Sequence, residues 1–120
     1  MDWTAVGGML GALGVGMGAF GAHGLKKKVQ DVELLESWKT AASYQMLHAA
    51  MVAVSAALQR GSAAPRLFSA GVLCFSGSIY GLVLLPKGNG LRKILGPVTP
   101  LGGLLLIAGW AAMAMGKKKE

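Results

Sequence analysis

Residues 7–21 read Gly7-Gly8-Met9-Leu10-Gly11-Ala12-Leu13-Gly14-Val15-Gly16-Met17-Gly18-Ala19-Phe20-Gly21. Gly7, Gly11, Gly14, Gly18 and Gly21 follow one another at intervals of 4, 3, 4 and 3. That is the spacing of a helix seam, with glycine where a soluble coiled coil would carry leucine. In water each glycine inside a helix costs roughly 1 kcal/mol against alanine, so such a face would not hold a soluble helix together. In hydrocarbon the backbone has no water to turn to, and small residues let a second helix come close. The stretch therefore predicts a transmembrane helix with a flat glycine face.

The surroundings agree. The apolar run covers residues 3–22, about the 20 residues needed to cross ~30 Å of hydrocarbon. Trp3 stands at one interface, Gly24 is placed as a helix C′ residue, and Lys26, Lys27 and Lys28 mark the water side. The N-terminus lacks the basic region of a signal peptide and the Arg-rich character of a presequence, so the run is expected to be retained. Hydrophobic residues make up 53% of the 120, and charged residues only 14%, against roughly 25% in soluble domains. The formal net charge is +7, but every Lys and Arg lies in a connection or in the C-terminal tail. That pattern is cationic loops at a membrane surface, with no aromatic-interleaved basic patch for nucleic acid. Cys74 is the single cysteine, which excludes an intrachain disulfide.

Further spans are expected at about 41–58, 67–85 and 98–115, within one domain of residues 1–120. Residues 29–40 mix Asp31, Glu33, Glu36 and Lys39 with Val32, Leu34, Leu35 and Trp38, and read as a short amphipathic connector running on into the second span. That span has an alanine face (Ala42, Ala49, Ala53, Ala56) and a polar arc of about 100° holding Tyr44, Gln45, His48, Ser55 and Gln59. The third has Ser69, Ser76 and Tyr80 on one face, with Gly77 and Gly81 as a second small-residue pair beside them. Thr99-Pro100 reads as N-cap and N1 of the fourth, which carries Gly102 and Gly109 one heptad apart and Trp110 near the far interface. The expected fold is an all-α membrane protein, four transmembrane helices in an up-down antiparallel bundle. Loops 1 and 3 hold seven cations (Lys26, Lys27, Lys28, Lys39, Lys87, Arg92, Lys93). The other side holds five (Arg60, Arg66, Lys117, Lys118, Lys119), so the positive-inside rule leans toward loops 1 and 3 being cytoplasmic or matrix-side.

Gly18-Ala19-Phe20-Gly21-Ala22-His23-Gly24-Leu25 resembles the first-helix signature of a known family. Trp38-x-Thr40-Ala41-Ala42-x-Tyr44-Gln45-Met46-x-His48-Ala49 resembles its second, Phe75-Ser76-Gly77-Ser78-Ile79-Tyr80 its third, and Thr99-Pro100-Leu101-Gly102-Gly103 with Ala108-Gly109-Trp110 its fourth. All four are similar to the YgdD-like small multi-pass inner-membrane proteins, a domain of unknown function with eukaryotic transmembrane relatives. The likeness covers essentially the whole chain and implies four helices in a bacterial plasma membrane or an organellar, mitochondrial inner membrane. It implies no reaction. Gly81 stands where the family commonly has alanine, and the lysine-rich tail departs from it.

The chemistry that the residues allow is narrow. His23, Tyr44, Gln45, His48, Ser76 and Tyr80 form a candidate polar core, because polar side chains in a span face the bundle interior or a wet cavity. His48 could relay protons or ligate haem. The plainer reading bonds it, neutral, to Tyr80 or Ser76, while His23 caps carbonyls. His23 is expected at the depth of Tyr44 in the first hairpin. No Asp, Glu, Lys or Arg falls inside a span, which argues against the proton-coupled chemistry of small drug exporters, and with every acid at or outside the interface no Ser-His-Asp set can be assembled. Gly14-x-Gly16-x-x-Ala19 follows no strand and is no dinucleotide loop. Gly7, Gly11, Gly14, Gly18, Gly21, Gly77 and Gly81 are read as helix-packing residues. The glycine stripe of the first span has two candidate mates, the alanine face of the second span and the Gly77/Gly81 pair. The leading expectation is a non-enzymatic structural or assembly module without cofactor, or an accessory subunit of a larger membrane complex such as a respiratory one. Its partners are then the lipid bilayer and other membrane-protein subunits. The alternatives are a small-solute transporter using the polar stripe, and a haem-binding membrane protein.

Overall fold

The computed structural model describes residues 1–58 and 61–117. Four long helices follow one another: α1 (Trp3–Ala22), α2 (Val32–Ala57), α3 (Ala63–Leu84) and α4 (Arg92–Met115), with a 3₁₀ turn at Leu25–Lys27. No strand occurs among the described residues. Gln59 and Arg60 of the second loop, and residues 118–120 of the tail, lie outside them.

Local chemistry sets the helix starts. The Asp2 carboxylate accepts from the Ala5 N–H, and the Asp31 carboxylate from the Glu33 N–H, each satisfying a free donor of a first turn. The proposed connector is not a separate element. Residues 32–40 are the opening turns of α2, which runs unbroken for 26 residues, roughly 39 Å. Pro65 and Arg66, which precede the expected third span, belong to the first turn of α3, where proline removes no helical bond.

The fourth helix departs most from expectation. It starts at Arg92, so Pro97 and Pro100 lie inside it and Thr99 is no cap. Neither proline has an N–H to give, which frees the carbonyls of Lys93 and Gly96. Both belong to exposed residues near the chain's cationic loop. The early start is favoured by what it does for α3. Arg92 donates to the Leu82 carbonyl and to the Leu85 carbonyl (3.2 Å), satisfying free acceptors at the α3 C-terminus.

The helices alternate in direction, and each packs along its neighbour in sequence, while α1 barely touches α3. The body measures 52 × 27 × 21 Å. Two apolar clusters occupy its ends. Leu25, Trp38, Ala41, Tyr80 and Val83 fill the end with the lysine-rich first loop. Val52, Ala64, Phe68, Val72 and Leu106 fill the end with the termini. Gln45, His48 and Ser76 are buried between them. Large apolar side chains such as Met9, Leu13, Leu73, Leu101, Leu104 and Ile107 point outward. In water this would be an interaction surface, and in a bilayer it is the lipid face. Three segments are long and apolar enough to cross a membrane: Trp3–Lys27, Ala63–Leu84 and Arg92–Met115.

Candidate functional site

The polar side chains gather on α2, and the glycines of α1 explain how they are used. Trp38 Nε1 donates to the Met17 carbonyl at 2.7 Å, and Gln45 Nε2 to the Leu10 carbonyl at 2.8 Å. A helical carbonyl is flanked by the side chain four residues on, which is why serine and threonine can bond back to it. Ser69 does so here to Pro65, and Thr99 to Leu95. Four residues beyond Leu10 and Met17 stand Gly14 and Gly21, so both carbonyls lie open to α2. A Cβ on Gly14 would meet Met46 Cγ at 2.8 Å and Gln45 Cγ at 3.2 Å, and one on Gly21 would strike the Trp38 indole. Gly7 sits 2.8 Å, by the same measure, from the Ala49 carbonyl, while Gly11 and Gly18 make ordinary contact with Ala49 and Ala42. The α1 stripe thus lies on the alanine face of α2, not on α3. Gly81 faces Leu95 of α4, and Gly77 is exposed with nothing within 4 Å of its would-be side chain, so Gly77 takes no part in a seam.

From Gln45 the network continues across the bundle. Tyr80 Oη donates to Gln45 Oε1 at 2.6 Å, so one line of bonds joins α3, α2 and the α1 backbone. Ser76 Oγ donates to the Ala41 carbonyl at 2.7 Å, tying α3 to α2 again. Trp38 is 1% exposed and packs at 4.6 Å from the Tyr80 ring and 5.6 Å from Phe20.

His48 has other partners than those expected. Its Nδ1 lies 2.8 Å from the Tyr44 carbonyl, which can only accept, so Nδ1 carries the proton. Its Nε2 lies 3.0 Å from Trp110 Nε1, which can only donate, so Nε2 accepts. Both nitrogens of a neutral imidazole are therefore engaged, and neither Tyr80 nor Ser76 bonds to it. Phe68 and Trp110 stand 5.7 and 5.8 Å from its ring. Tyr44 is 44% exposed and stacks on Phe75 at 4.9 Å. Beside it a cleft of about 510 Å³ opens between α2 and α4, with Phe75 as floor and Leu47, Ile107 and Trp110 as walls.

Of the six candidate core residues, the structure brings together Gln45, Ser76 and Tyr80, and places His48 beside them in the α4 direction. His23 is exposed at the C-cap of α1, its N–H bonded to the Ala19 and Phe20 carbonyls. The register that pairs Trp38 with Met17 sets His23 near the start of α2, about three turns from Tyr44. Trp38 and Trp110 join the network beyond the six residues that the sequence singles out. Trp38 fell in the expected connector, and Trp110 reads as an interface anchor, although it is 41% exposed with its N–H turned inward. Among the described residues no buried side-chain nitrogen or oxygen lacks a partner, and no three metal-binding side chains stand together.

A family model described as "Protein of unknown function (DUF423)" matches residues 17–103. The UPF0382 membrane protein of Schizosaccharomyces pombe is 53% identical over 112 residues, covering 90% of this chain and 94% of the relative. One from Staphylococcus aureus is 41% identical over 111 residues, covering 85% and 86%. The Bacillus subtilis UPF0382 membrane protein YwdK is 40% identical over 114 residues, covering 89% and 88%. No solved structure matches the chain.

Proposed function

The chain belongs to the DUF423 family of membrane proteins, and on that footing we propose that it is a non-enzymatic structural module, an accessory subunit of a larger membrane assembly of the respiratory kind. The observation that carries the reading is the closure of the polar network: no buried side-chain nitrogen or oxygen among the described residues lacks a partner, and Gln45, His48, Ser76, Ser78 and Tyr80 each bond from one helix to another. The line from Tyr80 through Gln45 ends on a backbone carbonyl, with no ionisable group at its far end to pass a proton to. The His48 nitrogens are both occupied, which speaks against haem ligation. Gln45, Ser76 and Tyr80 are bonded from helix to helix, which speaks against their forming a solute pathway. A broad apolar exterior with no chemistry behind it suits a protein whose work is contact.

In this reading α2 is the fourth span, crossing the bilayer over roughly 41–57, and its low hydropathy reflects Gln45, His48 and Ser55 turned inward. The narrower likeness to the YgdD-like proteins belongs to the same proposal. Affinity capture in a gentle detergent tests the function, with a stoichiometric membrane partner expected. Recovery of the chain alone would sink the subunit reading. The depth of α2 is tested separately, in a Cys74→Ser background, by a water-soluble maleimide. Cysteines at positions 46 and 50 are expected to resist it, and one at position 33 to react.

A further inference from the structure

A second concave feature lies at the lysine-rich end, on one flank of the α1–α2 hairpin. It is a groove of about 400 Å³ lined by α1 and the 3₁₀ turn on one side and by α2 on the other. Its chemistry changes steadily along the membrane normal. Lys26, Glu36 and Lys39 stand at the mouth, Gly18, Ala42 and Ser43 about one turn deeper, and Met46 below them. From Lys39 to Met46 the helix rises roughly 10 Å, from the water boundary into the hydrocarbon. All four polar residues are exposed. Among the described residues no ion pair or hydrogen bond engages the ammonium of Lys26 or Lys39.

We propose that this groove binds an anionic phospholipid, with the headgroup phosphate between Lys26 and Lys39 and the upper acyl chain along Gly18, Ala42 and Met46. The argument rests on order as well as charge. A phospholipid carries its anion, its ester oxygens and its hydrocarbon in that sequence, and the groove offers cations at the mouth, then a serine hydroxyl level with Gly18 and Ala42, then Met46. Glu36 opposes one of the two cations, so the mouth keeps an excess positive charge. Lys27, Lys28, Lys87, Arg92 and Lys93 belong to the same end and raise the local concentration of anionic lipid without shaping a site. Basic pockets between membrane helices are an established means of holding such headgroups. The proposal rests on α2 lying in the bilayer, which the maleimide experiment reads independently.

The test is native mass spectrometry of the full chain in detergent. It is titrated with phosphatidylglycerol, with phosphatidylcholine of the same acyl chains, and with inorganic phosphate as competitor. The wild type is expected to retain phosphatidylglycerol in preference. Lys26→Gln/Lys39→Gln should lose that preference by roughly tenfold or more, since each lysine near an anionic headgroup contributes several-fold. Lys27→Gln/Lys28→Gln removes the same charge next door and should keep it. Both pairs are exposed, so the fold is not at stake. Equal retention of the two lipids by the wild type would overturn the proposal. So would equal losses in the two double variants, which would mean a diffuse field and no groove. Displacement of the lipid by inorganic phosphate at equal concentration would overturn the role given to the acyl chain.

Discussion

The two hairpins of the molecule use glycine for opposite purposes. In the α1–α2 hairpin, Gly14 and Gly21 clear the way to backbone carbonyls, and Gln45 and Trp38 bond to them. In the α3–α4 hairpin, Gly102 lies against the Phe75 backbone and Gly109 receives the Phe68 ring, its would-be Cβ 2.6 Å from Cδ1. Among the described residues, Ser78 with Thr99 and Arg92 to the Leu82 carbonyl are the side-chain hydrogen bonds that join these two helices, and neither uses a carbonyl that a glycine uncovers. The first hairpin is held by bonds that glycine uncovers, and the second by shapes that glycine accommodates. Both glycine sets recur at seven-residue spacing, so spacing alone does not reveal which purpose is served.

That difference can be pressed experimentally, with reversible unfolding in mixed detergent as the readout. The largest effect is expected at Gly102→Ala, because the new methyl meets main chain that cannot step aside, and overpacking of this kind costs up to about 3 kcal/mol or more. A loss below about 1 kcal/mol would show that the α3–α4 seam is looser than described. Next comes Gln45→Leu, which strips Tyr80 of its acceptor and should cost about 1–2 kcal/mol. Adding Gly14→Ala to it should cost less than the sum of the two single changes, since both disable the same bond. Strict additivity would mean that Gly14 serves packing alone. Ser78→Ala should cost only about 0.6 kcal/mol, the usual scale of a hydrogen bond between membrane helices. Smallest of all, Gly77→Ala should stay within about 0.5 kcal/mol of wild type, because nothing lies near it.

The α1 glycine face and its alanine-rich mate on α2 were legible in the sequence, since both follow from residue size at helical spacing. The polar arc of α2 was legible as an arc but not as a set of partners. Gln45 turns toward α1 and α3, whereas His48, three residues on, turns toward Trp110 of α4. That division depends on where four helices stand around one another, which periodicity in a single helix does not contain. The start of α4 was misread for a different reason. Thr99-Pro100 has the chemistry of a helix cap, and Pro97 that of a breaker, but Arg92 and Leu95 gain enough against α3 to keep the earlier turns helical. Tertiary contact outweighed local preference there.

The hydrogen bonds from α2 to α1 end on the main-chain oxygens of Leu10 and Met17, so what α2 recognises in α1 is an exposed length of backbone. A peptide carbonyl is the same whichever residue bears it. The hairpin is therefore indifferent to most of the letters of its first helix. Met9, Leu13 and Val15 could be rewritten in any apolar alphabet while Gly7, Gly14 and Gly21 stay fixed, and the helix would still be gripped at the same two carbonyls.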